Sequence, residues 1–307
     1  MATMKTLNGY GFNATELNGK TSDNYLEKTD TATNSAKLGG KAPEYYLQPR
    51  NLLDNGDFRN PVNQRGIASG NVITNAYCID RWKLLNVGQL TFDDGYIAIS
   101  ANQGYGVYFR QFFEKLPKFP VTVRLETTSG IITANLAINT RYTFNDDMYV
   151  EIDGSGFLDL FIPQGKSLSI VNIALYEGSY TADTLPPYVP KGYAAELAEC
   201  QRYFYKMKSH WKWVSAGICE SSTKAYIPIV LPREMRIVPT ASITNPSLIK
   251  VKCGSVGPQI PSNIIWTYGI LGARIMQMAA TVTGATNGDV AFLYFDDGGE
   301  ITFSADL

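Results

Sequence analysis

Hydrophobic and polar residues alternate in short runs along much of the chain after residue 51. Between residues 51 and 188, period-two alternation and short apolar runs predict β-strands. These predicted strands cover residues 81–84, 96–99, 107–110, 121–125 and 157–162. Turn signals at 93–95 (DDG) and 153–156 (DGSG) separate neighbouring runs. The pattern favours a sandwich of antiparallel sheets.

A proline-rich segment marks a boundary after this region. Residues 184–190 hold three prolines and cannot enter a central strand. Residues 194–203 have helix-forming composition, and Leu197 and Cys200 fall at helical spacing. Further strands are predicted at 211–214, 226–231, 279–283 and 290–295. The sequence therefore predicts a second, smaller β domain that begins with the main helix of the chain.

The first fifty residues contain an internal repeat. Residues 17–20 (LNGK), followed by Tyr25-Leu26, recur as residues 38–41 (LGGK), followed by Tyr46-Leu47. Each unit predicts a glycine turn before a short helix. Its few apolar side chains bury too little area to offset the entropy of ordering about twenty residues. We expect identical segments of other chains, wound about a common axis, to supply the missing contacts; a flexible leader is the alternative.

Composition argues against several functional classes. Lysine and arginine total 27 against 28 aspartate and glutamate, so no positive excess favours a nucleic acid partner. The single histidine, His210, argues against most zinc sites and most Ser-His or Cys-His catalytic systems. The four cysteines are far apart and include no CxxC pair, so we expect free buried thiols. No cofactor and no metal are expected.

The sequence also lacks targeting signals. The first residues (MATMKTLNGYGFN) do not place a basic stretch before an apolar run, and no segment approaches the length of a membrane span. We therefore expect a protein made in the cytoplasm, without a signal peptide and without membrane insertion.

Three passages, taken in order, resemble phage and prophage tail-fibre, or receptor-binding, proteins. The tandem LxGK units resemble small repeats near the start of such fibres. Residues 51–58 (NLLDNGDF), then 63–66 (NQRG) and 80–82 (DRW), are similar to the opening of their jelly-roll domains and of carbohydrate-binding modules. Residues 176–178 (YEG) and 196–204 (ELAECQRYF) resemble the passage into their C-terminal domain. The resemblance covers residues 7–204.

This resemblance implies an architecture and a set of partners. The expected fold is mainly β: N-terminal repeats in residues 1–50, then two antiparallel β-sandwich or jelly-roll domains in residues 51–190 and 191–307, with one short helix between them. The expected protein is a homotrimeric fibre in the virion. Its N-terminal segment would contact other tail or baseplate proteins, and its β domains would contact cell-surface carbohydrate. No catalytic residue is carried over.

Sugar binding in a β-sandwich uses flat aromatic faces with amides or carboxylates beside them. The tentative glycan-binding residues share this character and lie in two groups: Tyr105, Tyr108, Asn102 and Gln103 in the first domain, and Trp211, Trp213, Trp266 and Tyr268 in the last. Trp211 and Trp213 share a strand face by period two. Core packing is the competing interpretation, and it is favoured for any single aromatic residue, most clearly for Trp82; Tyr105, between two glycines, is expected to be exposed on a turn.

Acidic residues raise the enzymatic alternative. The doublets at 93–94, 146–147 and 296–297 suggest paired carboxylates for glycoside hydrolysis, or calcium ligands. Adjacent strand residues point to opposite faces, so the first and last doublets are interpreted as hairpin turns. Asp80-Arg81 is interpreted as an ion pair that locks a strand rather than a ligand clamp. The leading hypothesis is a non-catalytic adhesin; a polysaccharide depolymerase and a purely structural fibre subunit remain alternatives.

Overall fold

A computed structural model of the chain describes residues 16–17, 20–21, 49–102, 104–208, 212–268 and 273–307. The fold is mainly β, and its sheets are antiparallel. One compact unit comprises residues 50–179 and 188–307. Within the other unit, β1 (Glu16–Leu17) and β2 (Lys20–Thr21) form a small antiparallel hairpin. The short helices predicted in the repeats lie outside the described residues, and the three-part domain division stays a prediction.

The first large sheet of the main unit has ten strands. They are β3 (Asn71–Ile79), β4 (Trp82–Asp93), β5 (Tyr96–Ser100), β6 (Val107–Phe112), β7 (Val121–Thr127), β8 (Gly130–Leu136), β9 (Thr140–Thr143), β10 (Tyr149–Asp153), β11 (Phe157–Ile162) and β12 (Ser167–Glu177). The order across the sheet is β8-β7-β12-β5-β4-β6-β11-β10-β9, and β3 pairs with β4. The edge strand β8 also contacts β9 and β10, so the sheet curls around its core.

One long strand connects the two halves of this sheet. The first residues of β4, from Trp82 to Leu85, pair with β6, whereas Gln89 to Asp93 pair with β5. Asn86 lies between these two stretches with a φ of 65°, in the left-handed region that asparagine tolerates better than most residues. The strand therefore changes partners at Asn86 and belongs to both halves.

The core of the curled sheet is dominated by aromatic packing. Trp82 is fully buried and stacks on Phe109 with ring centroids 4.3 Å apart, and Phe58 packs edge-on against it at 5.6 Å. The indole Nε1 of Trp82 donates to the carbonyl of Asn55 at 2.9 Å. Because the ring is enclosed and its polar atom is satisfied, the predicted structural role of Trp82 is confirmed.

A segment without strands follows at residues 178–192, which confirms that the prolines keep this stretch out of the sheets. The only α-helix among the described residues, α1 (Tyr193–Cys200), comes next. Glu196 and Cys200 are its buried side chains, and the Oε2 of Glu196 accepts from the backbone N–H of Asn55 at 2.7 Å. The helix is thereby anchored to the segment that precedes the first sheet.

Two further sheets follow the helix. Their strands are β13 (Phe204–Lys208), β14 (Lys212–Ser221), β15 (Lys224–Val230), β16 (Thr240–Ile243), β17 (Ile249–Cys253), β18 (Asn263–Tyr268), β19 (Ile275–Thr281), β20 (Val290–Phe295) and β21 (Glu300–Ser304). A three-stranded sheet has the order β13-β21-β16, and a six-stranded sheet has the order β17-β20-β14-β15-β19-β18. Ile301 and Phe303 of the smaller sheet share a buried core with Met276 and Leu293 of the larger one.

Two details of the second region bear on the sequence predictions. The sequence predicts a hairpin turn at residues 296–299 (DDGG), and this prediction is wrong. The strands β20 and β21 belong to different sheets, so the turn carries the chain from one sheet to the other. The cysteine prediction is confirmed, because Cys78, Cys200, Cys219 and Cys253 are free and buried.

Candidate functional site

A sheet face of the first region brings aromatic and charged side chains together; Tyr108 and Phe161 are half-buried there, whereas Tyr149 and Asp159 are buried. Alternate residues of β6 are buried, and those between them point away from the core. The strand register places Tyr108 opposite Phe161 and Phe161 opposite Tyr149. We call Tyr108, Phe161 and Tyr149 the aromatic row. The neighbouring register positions hold Arg110, Asp159, Glu151 and Arg141, which we call the charged row.

The rings of the aromatic row are in contact. Tyr108 and Phe161 have centroids 4.9 Å apart, and Phe161 stacks on Tyr149 at 4.7 Å. Gly106 makes room for this packing, because a Cβ at that position would lie 2.5 Å from the Phe161 ring. Burial, and then a hydrogen bond with Tyr108, raise the pKa of Tyr149 above its usual range. The three rings therefore form a continuous stripe across three strands.

The charged row is held by ion pairs. Arg110 binds both carboxylate oxygens of Asp159, through Nε at 2.7 Å and Nη2 at 2.6 Å, in a two-point geometry that fixes both groups. The Arg110 guanidinium carbon also lies 3.5 Å from the centroid of the Phe157 ring. Burial raises the pKa of Asp159, and the hydrogen bond from Arg110 only partly opposes this effect.

Arg141 ends the charged row at the outer strand. Its Nη2 lies 3.0 Å from an oxygen of Glu151, and its guanidinium carbon lies 4.1 Å from the centroid of the Tyr149 ring. The Arg141 side chain is 56% exposed, so the row is open to solvent at this end. An aromatic stripe beside fixed charged groups offers an apolar surface and directed hydrogen bonds at once. That combination suits a ligand with one apolar face and several hydroxyls.

The residues predicted in the first domain fall at different places. Tyr108 lies in the aromatic row. Tyr105 stands on the turn before β6, 79% exposed. The amide of Asn102 donates to Gln89 at 3.2 Å, which ties it to a neighbouring strand. Gln103 lies outside the described residues.

The residues predicted in the last domain also separate. Trp213 is 52% exposed and packs against Tyr294 and Phe292, with centroids 5.1 and 5.4 Å away. Trp266 borders the core instead, edge-on to Phe303 at 5.7 Å. Trp211 and the side chain of Tyr268 lie outside the described residues. Trp213 is thus the exposed aromatic platform of this region.

Six residues of the sheet face were not among the sequence candidates: Phe161, Tyr149, Arg110, Asp159, Glu151 and Arg141. The alternation in FLDLFI signals an outward face that includes Asp159 and Phe161. Their partners Tyr108 and Tyr149 come from other strands, so the row becomes visible only once the register is known.

The acidic doublets have local partners. Asp93 accepts from the hydroxyl of Tyr96 at 2.7 Å within the turn between β4 and β5. Asp146 pairs with Lys166 at 3.2 Å, and Asp296 pairs with Lys250 at 2.5 Å. Among the residues that the structure describes, no group of three or more His, Cys, Asp or Glu side chains is placed to hold a metal ion.

Asp80 and Arg81 have different partners, which corrects the interpretation of this dipeptide as an ion pair. Asp80 accepts from the backbone and the side-chain amide of Gln64, at 2.6 and 3.3 Å. Arg81 pairs with Asp54, with Nε 3.0 Å from Oδ2. The backbone of Arg81 has a φ of 72°. Because that left-handed conformation turns the chain between β3 and β4, the two neighbouring side chains reach separate parts of the molecule.

Comparison with known proteins assigns no family: no protein-family model matches the chain, and no curated protein matches it.

In the described part of the chain, no helix has both the length and the apolar character needed to cross a membrane.

Proposed function

We propose that this protein is a non-catalytic adhesin of the phage tail-fibre type, which attaches a particle to a bacterial surface glycan through the aromatic row and the charged row. The observation that carries the proposal is the stripe formed by Tyr108, Phe161 and Tyr149, with adjacent centroids less than 5 Å apart. Sugars present apolar C–H faces, and aromatic rings in a row pack against such faces with little selectivity between one sugar and another.

The charged row supplies hydrogen bonds in fixed directions. Arg110 and Asp159 hold each other in place, so their remaining hydrogen-bonding capacity points in fixed directions beside the rings. Fixed groups lose little conformational entropy when a ligand binds. A single site of this kind binds weakly, and attachment gains strength when several copies engage one surface.

The assembly proposed for this function is a homotrimer in the virion tail, joined to other tail or baseplate proteins through residues 1–50. Its support is the N-terminal repeat, whose units are poor in apolar side chains. Light scattering of the full-length protein should give three times the mass of one chain, and deletion of residues 1–50 should abolish trimers. A full-length mass equal to one chain contradicts this assembly.

The binding proposal is tested by glycan-array and cell-binding assays on the full-length protein. Tyr108→Ala, at the β6 end of the aromatic row, should weaken glycan binding at least about tenfold, which corresponds to about 1.4 kcal/mol. Trp213→Ala is the matched control, because it removes an aromatic ring from a different sheet. Loss of binding in Trp213→Ala with full binding in Tyr108→Ala contradicts the proposed site.

A depolymerase is the second candidate, favoured by one observation. Asp159 and Glu151 are register partners on neighbouring strands of the same face, and glycoside hydrolysis uses two carboxyl groups that flank the bond. Against this candidate, both oxygens of Asp159 bind Arg110. Release of reducing ends from host polysaccharide, abolished by Asp159→Asn, would establish the enzyme. Failure to bind any cell would favour a purely structural fibre subunit.

A further inference from the structure

A cleft of about 480 Å³ opens at one end of the first sheet. Its walls are residues 50–54, the loop 113–118 between β6 and β7, and the end of α1 with Arg202 and Tyr203. The volume falls in the range of small-molecule sites. The aromatic row and the charged row contribute no residue to its lining, so we treat this Arg81 cleft as a separate site.

Arg81 is the buried charged member of the lining. Its side chain is 3% exposed, its Nε lies 3.0 Å from Asp54, and its Nη2 donates to the carbonyl of Phe112 at 2.7 Å. The guanidinium carbon lies 3.5 Å from the centroid of the Tyr203 ring. Its Nη1 has no hydrogen-bond partner among the described residues. Leaving a buried charged donor without a partner is unfavourable, and an acceptor brought by a ligand would offset this cost.

The other charges of the cleft leave a cationic surplus. The lining has five cationic and four anionic residues. Each anionic residue already has a partner: Asp54 binds Arg81, Glu114 binds Arg202, Glu199 binds Arg50 and Lys191, and Glu177 accepts from the backbone of Lys118. The ammonium groups of Lys115 and Lys118, both on exposed residues, have no ion-pair partner in the described part of the chain. The hydrogen-bond donors that remain available in the cleft are therefore cationic groups.

Apolar groups complete the lining. Leu52, Phe113, Leu116 and Pro117 border the same cleft as the Tyr203 ring. An apolar wall beside cationic donors matches a sugar that carries an anionic substituent, because the ring contacts the wall while the anion meets the lysines and Arg81.

We propose that the Arg81 cleft binds the anionic group, carboxylate or phosphate, of an acidic sugar. The identification of the ligand as a sugar rests on the proposed glycan-binding function; the requirement for an anion rests on the donors of the cleft alone. Lys115 and Lys118 attract the anion at the mouth of the cleft, and the guanidinium of Arg81 meets it at the base.

The test is titration of the full-length protein with sodium galacturonate, with galacturonic acid methyl ester as the neutral counterpart and with galactose phosphate as the second anion. Calorimetry should show binding of at least one anion and at least about tenfold weaker binding of the ester. The double variant Lys115→Gln/Lys118→Gln should weaken anion binding by a similar factor. Lys166→Gln/Lys224→Gln, also exposed but outside the lining, is the matched control. Equal binding of acid and ester, equal binding by the two double variants, or no binding of either anion overturns the proposal.

Arg81 is tested in the native protein because its replacement endangers folding. In ¹⁵N-labelled protein, the guanidinium resonances of Arg81 should shift with the anion and not with the ester; unchanged resonances at saturation would show that Arg81 takes no part. The variant Tyr108→Ala separates the two sites. If it keeps glycan attachment while the cleft binds the anion, the proposed glycan site is wrong and the cleft stands. If attachment depends on Tyr108 and no anion binds, the cleft is wrong and the proposed function stands.

Discussion

The Nη2 of Arg65 donates to both carboxylate oxygens of Asp306, each at 2.8 Å, and so links the segment before β3 to the end of β21. The Arg65 guanidinium carbon also lies 4.0 Å from the centroid of the Phe204 ring and 4.6 Å from that of Tyr77. Each side chain of the pair is 13% exposed. This contact therefore links a segment at the first sheet to a segment beside the three-stranded sheet.

Arg65→Ala should lower the free energy of unfolding by roughly 2 kcal/mol, because it leaves Asp306 largely buried without its cation; the residual exposure keeps the loss below the 3–5 kcal/mol of a fully buried pair. Urea unfolding of the single variants and of Arg65→Ala/Asp306→Ala measures the coupling by a double-mutant cycle. A coupling free energy near zero would contradict a stabilising role for this ion pair.

Trp82→Ala should destabilise the protein by about 3–5 kcal/mol, because it removes a fully buried ring stacked on Phe109 and leaves a cavity. Trp213→Ala, on an exposed face, should cost less than about 1 kcal/mol. Far-UV circular dichroism in urea measures both variants without relying on the fluorescence that they alter. Similar losses for the two variants would contradict the assignment of Trp82 to the core.

Asp80 should make the protein less stable as the pH rises through the weakly acidic range. Burial, opposed in part by Arg65, raises the pKa of Asp80 from 3.8 to about 6. Between these values the folded protein holds a proton that the unfolded chain releases, so stability falls as the pH rises from about 4 and levels off above 6. The contribution is at most about 3 kcal/mol.

Asp80→Asn should remove this slope, since the amide does not titrate and its oxygen can still accept from Gln64. Urea midpoints between pH 4 and pH 7 measure the difference between the two proteins. Parallel curves for the variant and the wild type would show that Asp80 does not carry the effect.

The native thiols should resist Ellman's reagent. The four cysteines are buried, and burial raises the pKa of Cys78 to about 12, so little reactive thiolate is present at pH 8. All four should react once the protein is unfolded in guanidinium. Ser129→Cys, in an exposed turn, is the positive control. Rapid labelling of native wild-type protein would contradict the buried placement.

Continuous apolar runs made some elements predictable. The predictions for residues 157–162 and 290–295 coincide with β11 and β20, and the predicted helix overlaps α1. The sequence does not predict β3, because polar residues interrupt its alternation and Asn75, with a φ of 49°, creates an irregularity in its pairing with β4. Local sequence patterns thus predict the strands whose alternation and pairing are regular, and they miss a strand such as β3.

The candidate site was less predictable, for a physical reason. Tyr108 and Phe161 are far apart in sequence, and their contact depends on the register between β6 and β11. A shift of one residue in β11 would point the Phe161 ring to the other face and separate it from Tyr108. The separate partners of Asp80 and Arg81 likewise depend on a backbone turn that a dipeptide does not reveal.

Because β4 pairs with β6 along its first residues and with β5 along its last, this single strand holds the two halves of the curled sheet together. Mechanical load between the two halves therefore passes through β4, and we expect the sheet to yield to tension in one cooperative rupture rather than in separate layers.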